Sequence, residues 1–217
     1  MGAIGRVGVS VPVDAVTTWA VTTWDGRPSA VGVAGKVIRI TDVGSTAAGT
    51  FWVSDGIRWH PYGRQRIFSS VADIVLAGST STSEQKAAGL LLPAGLIGEG
   101  YEIEVIVLMN YTNSANSKVL RIRLGAANDL TGTAYLTNTS TTTLTGQNGC
   151  KIRTTTASAN AQIGYAASVT TLFGNSSAAV VTGALDMSNA SYLVISGYCT
   201  NAGDTQTIKA YTVDIAR

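Results

Sequence analysis

Residues 35–63, GKVIRITDVGSTAAGTFWVSDGIRWHPYG, decide the fold of the N-terminal part of this 217-residue chain. Their first segment, Val37 to Thr41, alternates. Val37, Arg39 and Thr41 face one side, and the two isoleucines between them face the other. A period of two is the signature of a β-strand. The stretch therefore opens with a strand, and a loop of small residues leads into a second β-prone run.

That second run predicts a hairpin centred on Asp55 and Gly56. Asp-Gly favours a type I′ turn, which needs positive φ at both central residues. A two-residue turn sets this register: Ser54 opposite Ile57, Val53 opposite Arg58, and Trp52 opposite Trp59. The two indoles then share one face as a cross-strand pair. Pro61 has no N–H to donate to a neighbouring strand, so the second strand should end there.

Three motifs in this stretch carry a resemblance: VIRITDVG (37–44), FWVSDG (51–56) and WHPYG (59–63). Together they resemble a small module of virion surface proteins of tailed bacteriophages. The resemblance implies a non-enzymatic structural role in which the module anchors the protein to a capsid or tail. It also implies a structural hairpin and anchoring interface, made of Trp52, Ser54, Asp55, Gly56, Ile57, Trp59 and Pro61.

Composition agrees with β-structure packed into an assembly. Only 13% of residues are charged, and the mean hydropathy is +0.22. A net charge of +2 is too small to argue for nucleic acid or an anionic membrane as a partner. No run approaches the ~18 apolar residues of a membrane span, and no secretory signal is evident. We expect a soluble protein made in the host cytoplasm and located on the virion surface.

The two cysteines, Cys150 and Cys199, leave two alternatives open. They could form one disulfide, although nothing in their spacing indicates it. Two reduced, buried thiols are the simpler interpretation.

A boundary is predicted near residues 63–66. All four tryptophans lie in the first 60 residues, and the indole-rich segment has few charges. We therefore expect an N-terminal module over 1–66 that packs against its own copies or a larger scaffold. Residues 67–217 would form a second domain.

The second domain is predicted to be an antiparallel β-sandwich, since short alternating runs are separated by polar turns. The candidate strands are 67–77, 90–93, 101–111, 118–124, 133–137, 150–155, 161–167, 178–187, 192–198 and 206–215. The main alternative is a short helix over 81–88, where Ser81 and Glu84 fit a capping box.

Two of these strands, 101–111 and 118–124, are joined by a polar loop of hairpin size. Pairing them would set Glu102 and Glu104 beside Arg121 and Arg123 on the outer face.

The segments 91–97, 101–111 and 119–125 resemble the jelly-roll domains of phage fibres and decoration proteins. The resemblance implies a homotrimer, because such domains usually form trimers.

Residues suited to catalysis or metal binding are sparse. His60 is the one histidine and lies at a strand end, which favours a turn or interface role. Three aspartates are turn residues by context: Asp25, Asp42 and Asp55. Calcium can bind at such loops, but nothing else in the sequence supports a calcium site. We predict no catalytic residues, no cofactor and no metal. Glu102 and Glu104 have the spacing of paired glycosidase carboxylates, but nearby arginines explain them more simply.

A basic cluster of Arg58, Arg64 and Arg66 surrounds Trp59 and Tyr62. Such a cluster is suited to binding phosphate or nucleic acid. Ion pairs with carboxylates of a neighbouring subunit are the simpler interpretation.

The sequence thus predicts an all-β, homotrimeric capsid decoration protein or short head or tail fibre, with no enzymatic activity. The alternative is a tail receptor-binding protein that recognises a host surface glycan. Exposed tyrosines would then stack on sugar rings, with Tyr101, Tyr165, Tyr192 and Tyr198 as candidates. A capsule-degrading hydrolase is a third hypothesis.

Overall fold

The computed structural model describes residues 20–43, 49–77, 83–165 and 180–217. Within these ranges the protein is all-β, with fifteen strands in three sheets and no helix. Consequently none of the described residues lies in a helix that could cross a membrane.

The first sheet is built from the N-terminal stretch. Its strands are β1 (Ala20–Thr22), β2 (Val37–Ile40), β3 (Thr50–Ser54) and β4 (Trp59–Pro61), in the order β1-β2-β3-β4. β1 runs parallel to β2, and the other pairs are antiparallel. Ile38 and Ile40 are fully buried, so the alternation predicted for this strand is confirmed. We call β1–β4 the N-terminal sheet.

The hairpin forms, but the predicted register is wrong. Ser54 pairs with Trp59, Val53 with His60, and Trp52 with Pro61. Residues 55–58 make a four-residue loop, because the Asp55 carboxylate accepts hydrogen bonds from the backbone N–H groups of Ile57 (2.9 Å) and Arg58 (2.8 Å). Asp55 therefore stabilises a longer loop instead of a two-residue turn. The two indoles still share a face, and β4 does end at Pro61.

The remaining strands form an antiparallel sandwich of two sheets. Its strands are β5 (Gln65–Ser70), β6 (Ile74–Ala77), β7 (Gln85–Leu92), β8 (Glu102–Tyr111), β9 (Lys118–Gly125), β10 (Thr133–Ser140), β11 (Thr145–Thr154), β12 (Gln162–Tyr165), β13 (Val180–Gly183), β14 (Ser191–Cys199) and β15 (Thr205–Ala216). The four-stranded sheet has the order β10-β9-β14-β7. The larger sheet has the order β13-β12-β11-β8-β15-β5, with β6 also paired to β15.

The chain crosses repeatedly between the two sheets. The expected pairing of β8 with β9 is wrong, since β8 pairs with β11 and β15 while β9 pairs with β10 and β14. The polar loop 112–117 is therefore a crossover. Both strands need an apolar face toward the same core, and placing them in opposite sheets satisfies that requirement.

Residues 85–88 belong to β7, so the short-helix alternative is wrong; Ser81 lies outside the described residues. The predicted strand 67–77 is interrupted at 71–73, between β5 and β6. Cys150 and Cys199 are both buried and free, which agrees with the thiol interpretation. Burial raises the pKa of Cys150 to about 12.

The core lies between the two sheets of the sandwich. Glu102 and Glu104 were predicted to lie on the outer face, and the alternating residues are indeed all buried: Tyr101, Ile103, Val105, Val107 and Met109. The core continues into the N-terminal sheet through Trp24, Trp52 and Trp59. The N-terminal sheet thus covers the end of the sandwich at which β8 begins.

Candidate functional site

The tryptophans join the N-terminal sheet to the sandwich. Trp24 Nε1 donates to Ala94 O at 2.9 Å, and the Trp24 ring lies 4.8 Å from that of Trp52. Trp59 Nε1 donates to Pro28 O at 2.7 Å. Three of the four indoles therefore pack within this chain, and the expectation that they meet copies or a scaffold is wrong for them. Trp19 lies outside the described residues.

His60 forms the polar part of the same junction. Its Nε2 lies 2.5 Å from Asp55 Oδ2, and its Nδ1 lies 2.9 Å from the Tyr101 hydroxyl. The Tyr101 hydroxyl donates to Trp59 O at 3.1 Å. A carboxylate only accepts, so Nε2 donates to Asp55, and Nδ1 and the Tyr101 hydroxyl form the second hydrogen bond of the ring. His60 thus links the hairpin loop to the first residue before β8.

The predicted site residues separate into two groups. Trp52, Ser54, Trp59 and Pro61 are buried within the chain. Ser54 Oγ donates to Ala30 O at 2.7 Å, which ties the hairpin to the loop before β2. These four side chains therefore stabilise the module from within the chain.

The other three predicted residues form the accessible loop. Gly56 has φ of 95°, but Asp55 does not have positive φ, so the type I′ turn predicted for this pair does not form. Ile57 is 71% exposed, and the neighbouring Val31 is 69% exposed. The two loops are joined by a hydrogen bond from Gly32 N to Gly56 O at 3.2 Å. We call Val31 and Ile57 the apolar tip.

Asp55 sits beneath this tip as an ionised group. Hydrogen bonds from the backbone N–H of Arg58, from the His60 ring and from the backbone N–H of Ile57 hold the pKa of Asp55 well below its usual range. Arg217 lies 3.6 Å from the same carboxylate. Asp42 likewise bonds to backbone, accepting from Trp24 N. Among the described residues, no group of three or more His, Cys, Asp or Glu side chains could hold a metal ion.

The basic cluster pairs with carboxylates of the same chain. Arg58 contacts Glu99 at 2.8 Å. Arg66 contacts Asp214 at 2.9 Å, and Arg64 contacts both Glu102 and Glu104. Each of these three arginines thus pairs with at least one carboxylate of its own chain.

Glu102 and Glu104 do share a face, with partners other than those predicted. Lys151 contacts Glu102 at 2.7 Å and Glu104 at 3.3 Å, and Arg153 contacts Glu102. Burial acts to raise the pKa of Glu102, but hydrogen bonds from Lys151 and Arg153 lower it overall. Both carboxylates are thus neutralised on the outer face of the larger sheet.

Arg121 and Arg123, assigned by the sequence to those glutamates, instead contact Glu84. Glu84 Oε1 also accepts from the buried Ser196 hydroxyl. This network covers the outer face of the four-stranded sheet. The strand alternation alone did not indicate that Glu84 is the partner of the two arginines.

A cleft of about 650 Å³ opens at the junction of the N-terminal sheet and the sandwich. Its floor is apolar and buried, consisting of Trp24, Trp59, Ile97, Tyr101 and Met187. Its rim is polar and comes from five separate loops, including Asp25, Arg27, Arg58, Glu99, Asn160 and Ser188. No local sequence pattern indicates this cleft, because its residues come together only after the strands have crossed.

The tyrosines proposed as exposed platforms do not support that hypothesis. Tyr101 is buried in the cleft floor. Tyr192 and Tyr198 are half-buried, and the Arg121 guanidinium lies 5.4 Å from the Tyr198 ring. The side chain of Tyr165 lies outside the described residues.

The opposite end of the sandwich contains a fully buried lysine. Lys118 Nζ donates to Ser114 Oγ (2.7 Å), Asn116 O (2.9 Å), Ser114 O (3.0 Å) and Thr141 O (3.1 Å). Asp204 lies 3.9 Å away. Lys118 begins a predicted strand, but no local sequence pattern indicates that its side chain is buried.

The fold and junction together define an all-β protein in which a small N-terminal sheet covers one end of a β-sandwich. No protein-family model and no curated protein matches this chain. Solved structures with remote similarity include three from infectious bursal disease virus. The Gx strain structure has a TM-score of 0.38 at 10% identity, covering 81% of this chain and 43% of that chain.

The VP2 subviral particle gives a TM-score of 0.30 at 8% identity, covering 74% of this chain and 39% of that one. The Gt strain structure gives 0.29 at 8% identity, with 80% and 53% covered. This chain spans about half, or less, of the length of those chains. Scores at this level carry no functional information.

Proposed function

We propose that this chain is a non-enzymatic structural protein on the surface of a tailed-phage virion. It acts as a homotrimeric capsid decoration protein or short head or tail fibre. The N-terminal sheet attaches it to capsid or tail proteins, and the sandwich projects outward. The resemblance of residues 37–63 to the phage module supports this assignment.

The observation that carries the proposal is the apolar tip. Val31 and Ile57 lie on two hydrogen-bonded loops beside a sheet whose large apolar side chains are mostly covered, although Val21 in β1 is also exposed, at 61%. Burying an exposed aliphatic side chain at an interface contributes about 1.5–3 kcal/mol. A rigid loop with two adjacent aliphatic groups therefore suits attachment to a larger assembly.

The test is incorporation of variant protein into particles. The Val31→Asp/Ile57→Asp double variant should be lost from purified virions by at least about tenfold, because two charges replace the buried apolar contact. Leu144→Asp is the matched control: Leu144 is also exposed, in the β10–β11 loop at the opposite end of the sandwich. Particles that keep the double variant at full copy number would contradict anchoring through this tip.

The oligomeric state is a second readout. The isolated chain should sediment as a trimer, with both the parent and the Leu144→Asp variant behaving alike. A sample that stays monomeric at all concentrations would remove the homotrimer from the proposal.

Receptor binding at the tail is the second candidate, and the cleft at the junction favours it. Decoration predicts many copies spread over the capsid in virion images. Receptor binding predicts few copies at the distal end of the tail, and adsorption blocked by the isolated protein.

A further inference from the structure

The cleft has the size and layered chemistry of a small-molecule site. Sites for small ligands usually measure about 300–1,000 Å³, with apolar walls and a few placed polar groups. Here an apolar floor lies beneath a rim of carboxylate, guanidinium, amide and hydroxyl groups.

The walls of the cleft are held in place before any ligand arrives. Trp24 and Trp59 each donate their indole N–H to a backbone carbonyl, and Gly95 N donates to Met187 O at 3.0 Å. The Arg27 guanidinium is stacked 3.8 Å from the centre of the Trp24 ring. A preformed site loses less ordering entropy on binding.

The charges of the rim indicate the class of ligand. Arg58 is paired with Glu99 at 2.8 Å, and Arg27 faces Asp25 across the same loop. Two cations and two carboxylates leave no excess charge to attract an anion or a cation. Hydroxyl groups suit such a rim because each can donate to a carboxylate and accept from a guanidinium or amide.

We propose that this cleft binds a neutral, hydroxyl-rich ligand, namely a segment of an oligosaccharide. Its C–H faces lie on the apolar floor, and its hydroxyls bond to Asp25, Arg58 and Asn160 at the rim. This inference gives the receptor-binding candidate a site. The experiment uses the isolated chain, so its outcome is independent of where the protein sits on a particle.

The experiment is saturation-transfer NMR followed by calorimetry with a panel of neutral trisaccharides of glucose, galactose, mannose and N-acetylglucosamine, tested to about 10 mM. A sialylated trisaccharide and inorganic phosphate serve as anionic probes. At least one neutral trisaccharide should bind, and neither anionic probe should bind more tightly than it.

Variants locate the binding. Asp25→Ala removes an exposed carboxylate and should weaken binding about tenfold, as expected for a hydrogen bond to a charged group. Adding Arg58→Ala should remove detectable binding. The matched control is Lys209→Ala, which breaks an exposed ion pair with Asp73 outside the cleft and should leave affinity unchanged.

Three outcomes would overturn the inference. One is that no neutral trisaccharide of the panel binds. Another is that phosphate or the sialylated probe binds more tightly than every neutral one. The third is that binding survives the Asp25→Ala/Arg58→Ala change while the chain stays folded by circular dichroism.

Discussion

The two ends of the sandwich are closed in different ways. At one end, a single buried ammonium group on Lys118 binds oxygen atoms of the 112–117 and 141–144 loops and approaches Asp204 in the 200–204 loop. Each of these loops carries the chain from one sheet to the other. At the opposite end, a separate sheet is attached through indole, imidazole and guanidinium contacts spread over several loops.

The way each end of the sandwich is closed explains why the cleft lies at the junction and not at the Lys118 end. One central charge brings the crossover loops together tightly and leaves the lysine 0% exposed. Contacts distributed between two sheets leave an unfilled space between them, which is the cleft. The Lys118 end therefore depends on one residue, whereas the junction end should tolerate the loss of single contacts.

The largest expected effect follows from replacing the buried cation. Lys118→Met keeps the aliphatic length but takes this donor from three carbonyl oxygens and removes the cation 3.9 Å from Asp204, which still accepts from Ser114 Oγ. Removing one partner of a buried charged network costs about 3–5 kcal/mol. We expect the free energy of unfolding, measured by urea titration, to fall by that amount.

The control for this variant is Lys209→Met, which removes an exposed lysine paired with Asp73. Exposed pairs contribute about 0–1 kcal/mol. If both variants lost the same small amount, Lys118 would not be the group that closes this end.

A smaller effect is expected at the junction. Tyr101→Phe removes a hydroxyl that donates to Trp59 O and hydrogen-bonds to the His60 ring, so a buried imidazole nitrogen loses this partner. The expected loss is about 1–3 kcal/mol. Hydrogen exchange should rise in β3 and β4 more than in β9 and β14.

Tyr62→Phe is the matched control, since Tyr62 is exposed and precedes β5. Exposed substitutions of this kind change stability by about 0.5 kcal/mol or less. If Tyr101→Phe lowered the hydrogen-exchange protection of β3 and β9 by the same amount, the two ends of the sandwich would not be independent.

The strands could be predicted from local alternation. Each of the ten candidate strands in the sandwich overlaps an observed one, because a strand buried on one face shows the period of two in any topology. The faces of β8 and β9 were predicted for the same reason.

The strands and side chains that pair between distant parts of the chain could not be predicted from local alternation. The 112–117 loop has the length of a hairpin loop, yet it crosses between sheets, and the Glu and Arg side chains on either side find other partners. The hairpin register failed because the Asp55 side chain bonds to the backbone of its own loop. Lys118 and the cleft depend on residues far apart in sequence, so no local pattern indicates them.

The smallest effect concerns acid stability at the junction. The pKa of Asp55 is lowered in the folded protein, so the ionised carboxylate stabilises the fold above the unfolded value of 3.8. That contribution is lost progressively as the pH falls from about 4 through the lowered pKa of the folded state, because the unfolded chain takes up the proton first. Since the Asp55 side chain is 40% exposed, water screens part of the interaction.

Asp55→Asn should therefore flatten the acid limb of the stability curve, measured by urea unfolding between about pH 5 and pH 2. The variant should be less stable than the parent at pH 7, and the two should converge at the acid end. The dependence of unfolding on urea should keep its slope, because the amide leaves the surface exposed on unfolding unchanged. An unchanged acid limb would mean that the Asp55–His60–Tyr101 chain does not join the N-terminal sheet to the sandwich, and the junction would then depend on its indoles and on the Arg58–Glu99 pair.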